Sequence, residues 1–170
     1  GPMFSEKSGE LVNRCMKAEK YSGKKVIAFK PNNDNRFAED EIVSRLGQKM
    51  KAISINQIIN ENLKEEILKL SNGCHIVAFD EAQFFSEKIV DIVSEIASYG
   101  SHVIIAGLDL DFRGKPFGHM GELMTIADEV IKNTAYCPCC GRPARFTQRL
   151  VDGFPAKEGP IELVGDIEKY

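Results

Sequence analysis

The first eight residues of the chain have the spacing of a phosphate-binding loop. The phosphate-loop pattern is a glycine, four residues of any type, a second glycine, a lysine and a serine or threonine. Here Gly1, Lys7 and Ser8 occupy the matching first, seventh and eighth positions. In such a loop the backbone N–H groups and the positive end of the next helix hold phosphates, the lysine contacts the outer phosphates and the hydroxyl binds Mg²⁺. The sequence therefore indicates phosphate binding, with an ordinary lysine and serine near a helix start as the alternative.

The sixth position carries Glu6 in place of the second glycine of the pattern. A glutamate brings a negative charge to the place where phosphates would lie, and a Cβ where the backbone can require a positive φ. We therefore expect weakened nucleotide binding. The motif also starts at the first residue, so we expect the strand that should precede it to be missing, and the letters Gly1-Pro2 are also those of a common cloning remnant.

A second pair of residues suited to phosphate chemistry, Asp80-Glu81, follows a short apolar run at residues 76–79. A carboxylate at the end of such a strand can hold Mg²⁺, and we expect Asp80 to lie beside the helix that carries Ser8. The next residue, Glu81, can accept a proton from a substrate hydroxyl that attacks a γ-phosphate. The alternative is an ordinary polar pair that closes a strand.

Three of the five cysteines crowd together at Cys137, Cys139 and Cys140. Cys137 and Cys140 form a C-x-x-C pair on a tight turn, which can present two thiolates to one zinc ion. The alternative is a redox or disulfide pair of the same two residues. We expect Cys15 and Cys74, which lie in helical and strand-like segments, to be small buried apolar residues.

Composition excludes several classes of protein. A chain of 170 residues with 43% hydrophobic and 28% charged residues is typical of one principal globular core, not of a disordered or coiled-coil chain. No apolar run reaches the roughly 18 to 20 residues that a membrane span needs, and no export leader is recognisable. The net charge of -3 gives no global basic field for nucleic acid.

The elements that must position these residues alternate along the chain. Helical spacing and short apolar runs follow each other in the order helix, strand, helix, strand, helix, strand. This order predicts an α/β fold with a doubly wound, P-loop (RecA-like) parallel sheet, whose ligand sites lie in loops beyond the carboxyl ends of the strands. The predicted helices cover residues 7–21, 61–70 and 89–97, and the predicted strands cover residues 26–29, 76–79 and 103–106.

The residue pattern of the sequence changes after Lys132, where a cysteine-rich turn and short strand-like runs replace the alternating helices and strands, so we expect two domains. Residues 1–132 form the expected α/β nucleotide-binding domain, with polar loops at residues 32–36 and 113–121. Residues 133–170 form the expected small cysteine-containing domain. In it, short strands at residues 144–151 and 161–164 are predicted to flank a polar loop at residues 152–159.

Several motifs together resemble the thymidine kinases of the cytosolic and bacterial type. The most specific are Asp-Glu-Ala-Gln-Phe-Phe at residues 80–85 and Asp-Phe-Arg-Gly-Lys-Pro-Phe at residues 111–117, in the same order and spacing as in that family. Matches also occur at residues 1–8, 30–37, 147–150 and 164–170, so the resemblance spans nearly the whole chain. It implies ATP-dependent transfer of a phosphoryl group to the 5′-hydroxyl of thymidine.

The resemblance also implies roles for individual residues. Glu81 would be the general base, and Ser8 and Asp80 would hold Mg²⁺, Asp80 through water; Arg149 and Arg36 are candidates for balancing phosphate charge. The ATP-binding set would be Gly1, Pro2, Met3, Phe4, Ser5, Lys7, Ser8 and Asp80. The nucleoside-binding set would be Met3, Phe84, Leu108, Phe112, Thr147, Ile161, Leu163, Gly165 and Tyr170, with a lasso-like loop of the small domain over the base. Plain core packing for the apolar members and solvated surface charges for the arginines are the alternatives.

Further implications concern metal, assembly and location. In the intact family a second pair of zinc ligands lies just past the position of Tyr170. The resemblance therefore implies structural zinc on Cys137 and Cys140 only in the longer parent protein. It also implies that the small domain is truncated in this chain. It implies a cytoplasmic homotetramer with thymidine and ATP as partners, and neither nucleic acid nor membrane. A nucleoside-binding relative without catalysis is the second hypothesis, since Glu6 would weaken ATP binding alone. An α/β module with a zinc ribbon for nucleic acid is the third.

Overall fold

The computed structural model of the chain describes residues 1–32, 40–156 and 158–161. At its centre lies a four-stranded parallel sheet. The helices are α1 (Lys7–Ser22), α2 (Glu61–Ser71), α3 (Lys88–Ser98) and α4 (Met120–Ile126). The strands are β1 (Val26–Pro31), β2 (Glu41–Val43), β3 (Lys49–Lys51), β4 (Ile53–Ile55), β5 (Ile76–Phe79), β6 (His102–Ile105), β7 (Ala135–Tyr136), β8 (Pro143–Ala144), β9 (Leu150–Val151) and β10 (Phe154–Pro155).

The central sheet has the strand order β4-β1-β5-β6, and all its neighbours are parallel. Side chains alternate across it, as the period of a strand requires. On one face Val77 and Phe79 pack with α2 and α3, while on the other Ile76 and Ala78 pack with α1. Helices therefore cover both faces, and the predicted α/β class is confirmed.

Helix α1 illustrates why the predicted elements form. Leu11, Val12 and Cys15 recur on one stripe and are buried against the sheet, as helical periodicity predicts. The helix ends at Gly23, whose φ of 60° is left-handed and whose N–H donates to the carbonyl of Ala18. The other two predicted helices and the three predicted strands are also present, with shifts of one or two residues at some ends.

Three strands and one α-helix of the α/β part were not predicted. Strands β2 and β3 form an antiparallel hairpin, and β4 follows at once as the edge strand of the central sheet. Each has only three residues, which is too short to show a period of two. Helix α4 begins inside the segment that was predicted to be a loop, residues 113–121. None of the described helices could cross a membrane.

The C-terminal part corrects one prediction. The strand predicted at residues 144–151 is wrong, because the chain forms two-residue strands there, in the pairs β7–β8 and β9–β10. The predicted loop at residues 152–159 contains β10. Asp152 and Gly153 have φ values of 50° and 79°, as a two-residue hairpin turn requires. Most of the strand predicted at residues 161–164 lies outside the described residues, and the division after residue 132 stays a prediction.

Candidate active site

The site lies at the carboxyl edge of the central sheet, where the start of α1 meets the end of β5. Ser8 is in the first turn of α1, and its Oγ donates to Asp80 Oδ1 at 3.0 Å. Asp80 directly follows β5 and is buried, with its N–H donating to the carbonyl of Phe29 in β1. The predicted approach of Asp80 to the helix of Ser8 is therefore found. A hydroxyl and a carboxylate oxygen are ligands that fit Mg²⁺.

The loop before α1 has the backbone of an anion cradle. Phe4 and Glu6 have φ values of 62° and 57°, in the left-handed region that favours glycine. Glu6, in the left-handed conformation, is followed by Lys7 in the right-handed helical conformation. A left-handed residue next to a right-handed one turns successive backbone N–H groups toward the same side. The sixth position therefore has the positive φ that its sequence pattern indicated, and a glutamate holds it at a cost of roughly 1–2 kcal/mol.

The Glu6 side chain lies along the first turn of α1. A Cβ added to Gly9 would lie 2.9 Å from Glu6 Oε2 and 3.5 Å from Ser44 Cβ. Gly9 is a buried position in the third residue of a helix, where glycine costs about 1 kcal/mol relative to alanine. The absence of a side chain at Gly9 thus leaves the space beside the Glu6 carboxylate open.

Lys7 is directed back onto its own loop. Its Nζ donates to the carbonyl of Pro2 at 2.6 Å. Burial lowers the pKa of Lys7, and the neighbouring charges of Glu81 and Asp80 oppose that effect. Lys7 therefore lies close enough to Glu81 and Asp80 to feel both charges. This is the position expected of a lysine that contacts phosphates near a metal-binding carboxylate.

Burial also governs the carboxylate at the end of β5. Removal from water, followed by the nearby charge of Glu81, raises the pKa of Asp80 to about 7, while the hydrogen bond from Ser8 and the charge of Lys7 act in the opposite direction. A buried carboxylate of this kind gains from a divalent cation, which stabilises its charged form. The Mg²⁺ role that the sequence suggests for Asp80 is compatible with this environment.

Glu81 is held in an unusual backbone conformation next to Asp80. Its φ of 50° is left-handed, which is uncommon for a residue other than glycine and marks a position fixed by its surroundings. Its carboxylate accepts a hydrogen bond from Gln83 Nε2 at 2.6 Å. The N–H of Ala82 donates to the carbonyl of Ala106 and ties this turn to the end of β6.

Residues of the expected nucleoside pocket come together from distant parts of the chain. The Met3 N–H in the phosphate loop donates to Thr147 Oγ1 at 3.0 Å. Phe84 packs edge to face on Phe117, with 5.5 Å between ring centroids. Phe84, Leu108 and Phe112 keep part of their surface accessible, so they are not plain interior residues.

Arg149 is buried, with 3% of its surface exposed, so its interpretation as a solvated surface charge is wrong. Its guanidinium lies 4.1 Å from the ring centroid of Phe112 and donates to the carbonyls of Pro160 and, at 2.8 Å, Ile161. Arg149 thus holds the segment that leads into the expected lasso against the expected pocket. Its suggested part in balancing phosphate charge stays untested.

The remaining predicted site residues have less to report. Ser5 Oγ donates to the carbonyl of Pro2 at 2.8 Å within the phosphate loop, and Asn133 Nδ2 donates to the carbonyl of Ser5 at 3.1 Å and holds the loop from outside. Gly1 packs against Asn133, and Ile161 is exposed. The residues Arg36, Leu163, Gly165 and Tyr170 lie outside the described part of the chain.

The cysteine turn is formed, but a metal centre is not evident. The Gly141 N–H donates to the carbonyl of Cys137 at 2.8 Å, and N–H groups of Cys139 and Cys140 lower the pKa of the Cys137 thiol. Among the residues that the structure describes, no group of three or more cysteine, histidine or carboxylate side chains could hold a metal ion. Two thiols alone do not fit a four-ligand structural zinc site. Cys15 and Cys74 are buried, as expected.

Three residues of the site were not singled out from the sequence. Gln83 contacts Glu81, and its position inside the 80–85 motif was the available signal. Arg45, in the β2–β3 turn, lies over the Phe4 ring at 4.2 Å, and its positive charge contributes to the lowered pKa of Lys7. Gly9 makes room for Glu6. For Arg45 no signal in the sequence gives the contact, because it depends on how β2–β3 folds against the loop before α1.

One comparison with known proteins bears on this geometry. A protein-family model described as thymidine kinase matches residues 1–170. The match covers the phosphate loop, the Asp80-Glu81 pair and the C-terminal segment, and it agrees with the resemblance of the motifs. The chain therefore belongs to the thymidine kinase family.

Proposed function

We propose that this chain transfers the γ-phosphoryl group of ATP to the 5′-hydroxyl of thymidine. The observation that carries the proposal is the contact of 3.0 Å between Ser8 and Asp80. It joins the phosphate loop to the carboxylate pair at the end of β5. Membership of the thymidine kinase family supports the choice of both substrates.

In this proposal each residue acts on one part of the reaction. The loop N–H groups near Glu6 and the ammonium of Lys7 bind the phosphate oxygens. Ser8 and Asp80 would hold Mg²⁺, which neutralises charge on the phosphates when bound. Glu81 accepts the proton of the 5′-hydroxyl while that oxygen forms a bond to the γ-phosphorus and the bond to the β-phosphate oxygen breaks, so that ADP leaves.

The nucleoside would lie on the side of Phe84, Leu108 and Phe112. Phe84 lies in the turn after β5 that begins with Glu81, Leu108 and Phe112 follow β6, and each of the three keeps accessible surface. Thr147 joins the same region through its bond to Met3. The segment after Ile161 would cover the base, since Arg149 anchors its start beside Phe112.

A second candidate function is thymidine binding without catalysis. Glu6 is the observation that favours it, because its carboxylate lies beside the first turn of the helix that would receive phosphates. A negative charge there opposes the anion-binding field of the loop and the helix end.

Calorimetry with ATP and with thymidine, each titrated alone in the presence of Mg²⁺, separates the two candidates. The kinase is supported by binding of both ligands and by formation of thymidine monophosphate and ADP in equal amounts. Thymidine binding with no ATP binding and no product supports the second candidate. Binding of neither ligand contradicts both.

We further infer a cytoplasmic homotetramer, on the grounds of family membership alone. Light scattering on the purified chain tests the assembly. A mass of four chains supports it, and a monomer at micromolar concentration contradicts it.

A further inference from the structure

Gln83 connects the expected general base to the wall of the expected nucleoside pocket. It lies in the 3₁₀ helix Ala82–Phe84, and 2% of its surface is exposed. Its Nε2 donates to Glu81 Oε2 at 2.6 Å, and its Oε1 accepts from the backbone N–H of Leu108 at 2.9 Å. A buried amide needs partners for both ends, and these two contacts supply them.

The Leu108 N–H fixes which way the amide of Gln83 faces. A backbone N–H can only donate, so the atom opposite it must be the amide oxygen. The NH₂ group then faces Glu81, whose carboxylate can only accept when it is charged. The reversed amide would bring two donors together at Leu108 and two acceptors together at Glu81.

The packing around Gln83 leaves its side chain little freedom. A Cβ on Gly107 would lie 2.7 Å from Gln83 Oε1, and a Cβ on Gly118 would lie 2.2 Å from the carbonyl oxygen of Gln83. Two glycines from opposite ends of the β6–α4 connection thus approach the same residue more closely than any side chain would allow. Gly118 also has a φ of 51°. The position of Gln83 is therefore set by the connection between β6 and α4.

We propose that Gln83 is a positioning residue that holds the Glu81 carboxylate in its proton-accepting orientation and links it to Leu108. The inference rests on the proposed function in one respect, namely that Glu81 acts on the 5′-hydroxyl. A base that is free to rotate spends less time within reach of the hydroxyl, and a displacement of about 1 Å can cost on the order of 10²-fold in rate.

Two variants separate the two ends of the amide. Gln83→Glu keeps an acceptor for the Leu108 N–H but removes the donor toward Glu81, whereas Gln83→Met removes both. We expect kcat for thymidine phosphorylation to fall about 10- to 100-fold in both variants, with KM for thymidine and ATP within about threefold of the parent. Asn62→Asp, the same amide-to-acid exchange on the exposed face of α2, is the matched control and should change neither constant.

The kinetic outcomes decide the role as follows. A fall in kcat alone supports positioning. An unchanged kcat in Gln83→Met, or a rise in KM with kcat retained, overturns it, because Gln83 would then only pack the pocket. Gln83→Met also serves if Gln83→Glu does not fold.

A second measurement does not depend on turnover. In NMR spectra of the unmodified chain, the side-chain NH₂ of Gln83 should exchange slowly with water and should lose that protection in Glu81→Ala, but not in Glu87→Ala, an exposed neighbour. If no thymidine is phosphorylated even with Glu6→Gly, the proposed function fails, and this measurement still decides whether Gln83 holds Glu81. Unchanged protection in Glu81→Ala overturns the inference.

Discussion

At the scale of single residues, Glu81 is the side chain whose replacement should lower the rate of phosphoryl transfer most. It lies next to the carboxylate that contacts Ser8, where an attacking hydroxyl would be in line with the γ-phosphate. We expect Glu81→Gln to lower kcat about 10²- to 10⁴-fold, the usual contribution of a general base. Steady-state kinetics beside Glu87→Gln, an exposed control, measure this; full turnover in Glu81→Gln would assign the base to another residue.

Glu6 is expected to limit ATP binding. A unit charge about 4 Å from a phosphate oxygen costs roughly 1 kcal/mol in bulk water and about 4 kcal/mol at an effective dielectric near 20. The loop is partly sheltered, so Glu6→Gly should tighten ATP binding by about 10- to 10³-fold and raise turnover.

Glu6→Gln separates the causes in the same calorimetric series. It removes the charge but keeps the Cβ at a φ of 57°. Recovery with glutamine points to charge, and recovery with glycine alone points to the backbone. ATP affinities that agree within about threefold across all three proteins would mean that the loop tolerates glutamate.

Asp80 should make the stability of the ligand-free chain depend on pH. Burial raises its folded pKa from 3.8 to about 7, so its contribution to stability is full below about pH 4 and is lost as the pH rises through 7. Asp80→Asn removes this loss. Its gain in unfolding free energy over the parent should be larger at pH 8 than at pH 5 by about 2–3 kcal/mol.

Urea unfolding in Mg²⁺-free buffer at the two pH values tests this expectation. Asp40→Asn, at an exposed position, is the control and should show no such difference. An equal gain for Asp80→Asn at both pH values would contradict the pKa assigned to the buried carboxylate.

Helix α1 provides a test at the scale of an element. Alanine in place of Gly9 should stabilise the helix by about 0.5–1 kcal/mol, but its Cβ would lie 2.9 Å from Glu6 Oε2. We therefore expect Gly9→Ala to gain more in the Glu6→Gly background than in the parent. A double-mutant cycle of unfolding free energies measures the coupling, and additivity within about 0.3 kcal/mol would show that the two residues do not interact.

The elements that were predicted correctly are those with a strong local signal. The strand β5 carries four buried residues in a row, and α3 buries Ile89, Ile92, Val93 and Ile96 on one stripe, so composition and period alone identify both. The carboxylate pair after β5 could be placed for the same reason, since a strand end locates its next residue at the sheet edge. This is why the approach of Asp80 to Ser8 could be foreseen.

The elements that were missed depend on pairing or on turn chemistry. The hairpin β2–β3 is stabilised by cross-strand contacts between three-residue strands, which no local pattern reveals. At β9–β10 a local signal did exist, because Asp152-Gly153 is a typical two-residue hairpin turn. The contact of Gln83 with Leu108 likewise arises only when the segments after β5 and β6 meet.

At the scale of the whole molecule, the C-terminal segment should close over the nucleoside. Arg149 holds the carbonyls of Pro160 and Ile161 beside Phe112, so ordering of the pocket should be transmitted to residues 152–170. We expect amide exchange in that range to slow when thymidine is added, as in other lids that close over substrates. Mass-spectrometric hydrogen exchange with saturating thymidine tests this, with ATP alone as the control, and an unchanged exchange rate would remove the lid role.

The bond between Met3 and Thr147 has a consequence for synthesis of the protein on the ribosome. Its partners are 144 residues apart, so at a translation rate of about 5–20 residues per second the Met3 N–H waits roughly 7–30 s for its acceptor to be made. Helix α1 and the first strands can form in that interval, but the phosphate loop still lacks its hydrogen bond to Thr147. A nascent chain that lacks Thr147 should therefore fail to retain nucleotide, and the binding site should mature only after Thr147 has been made.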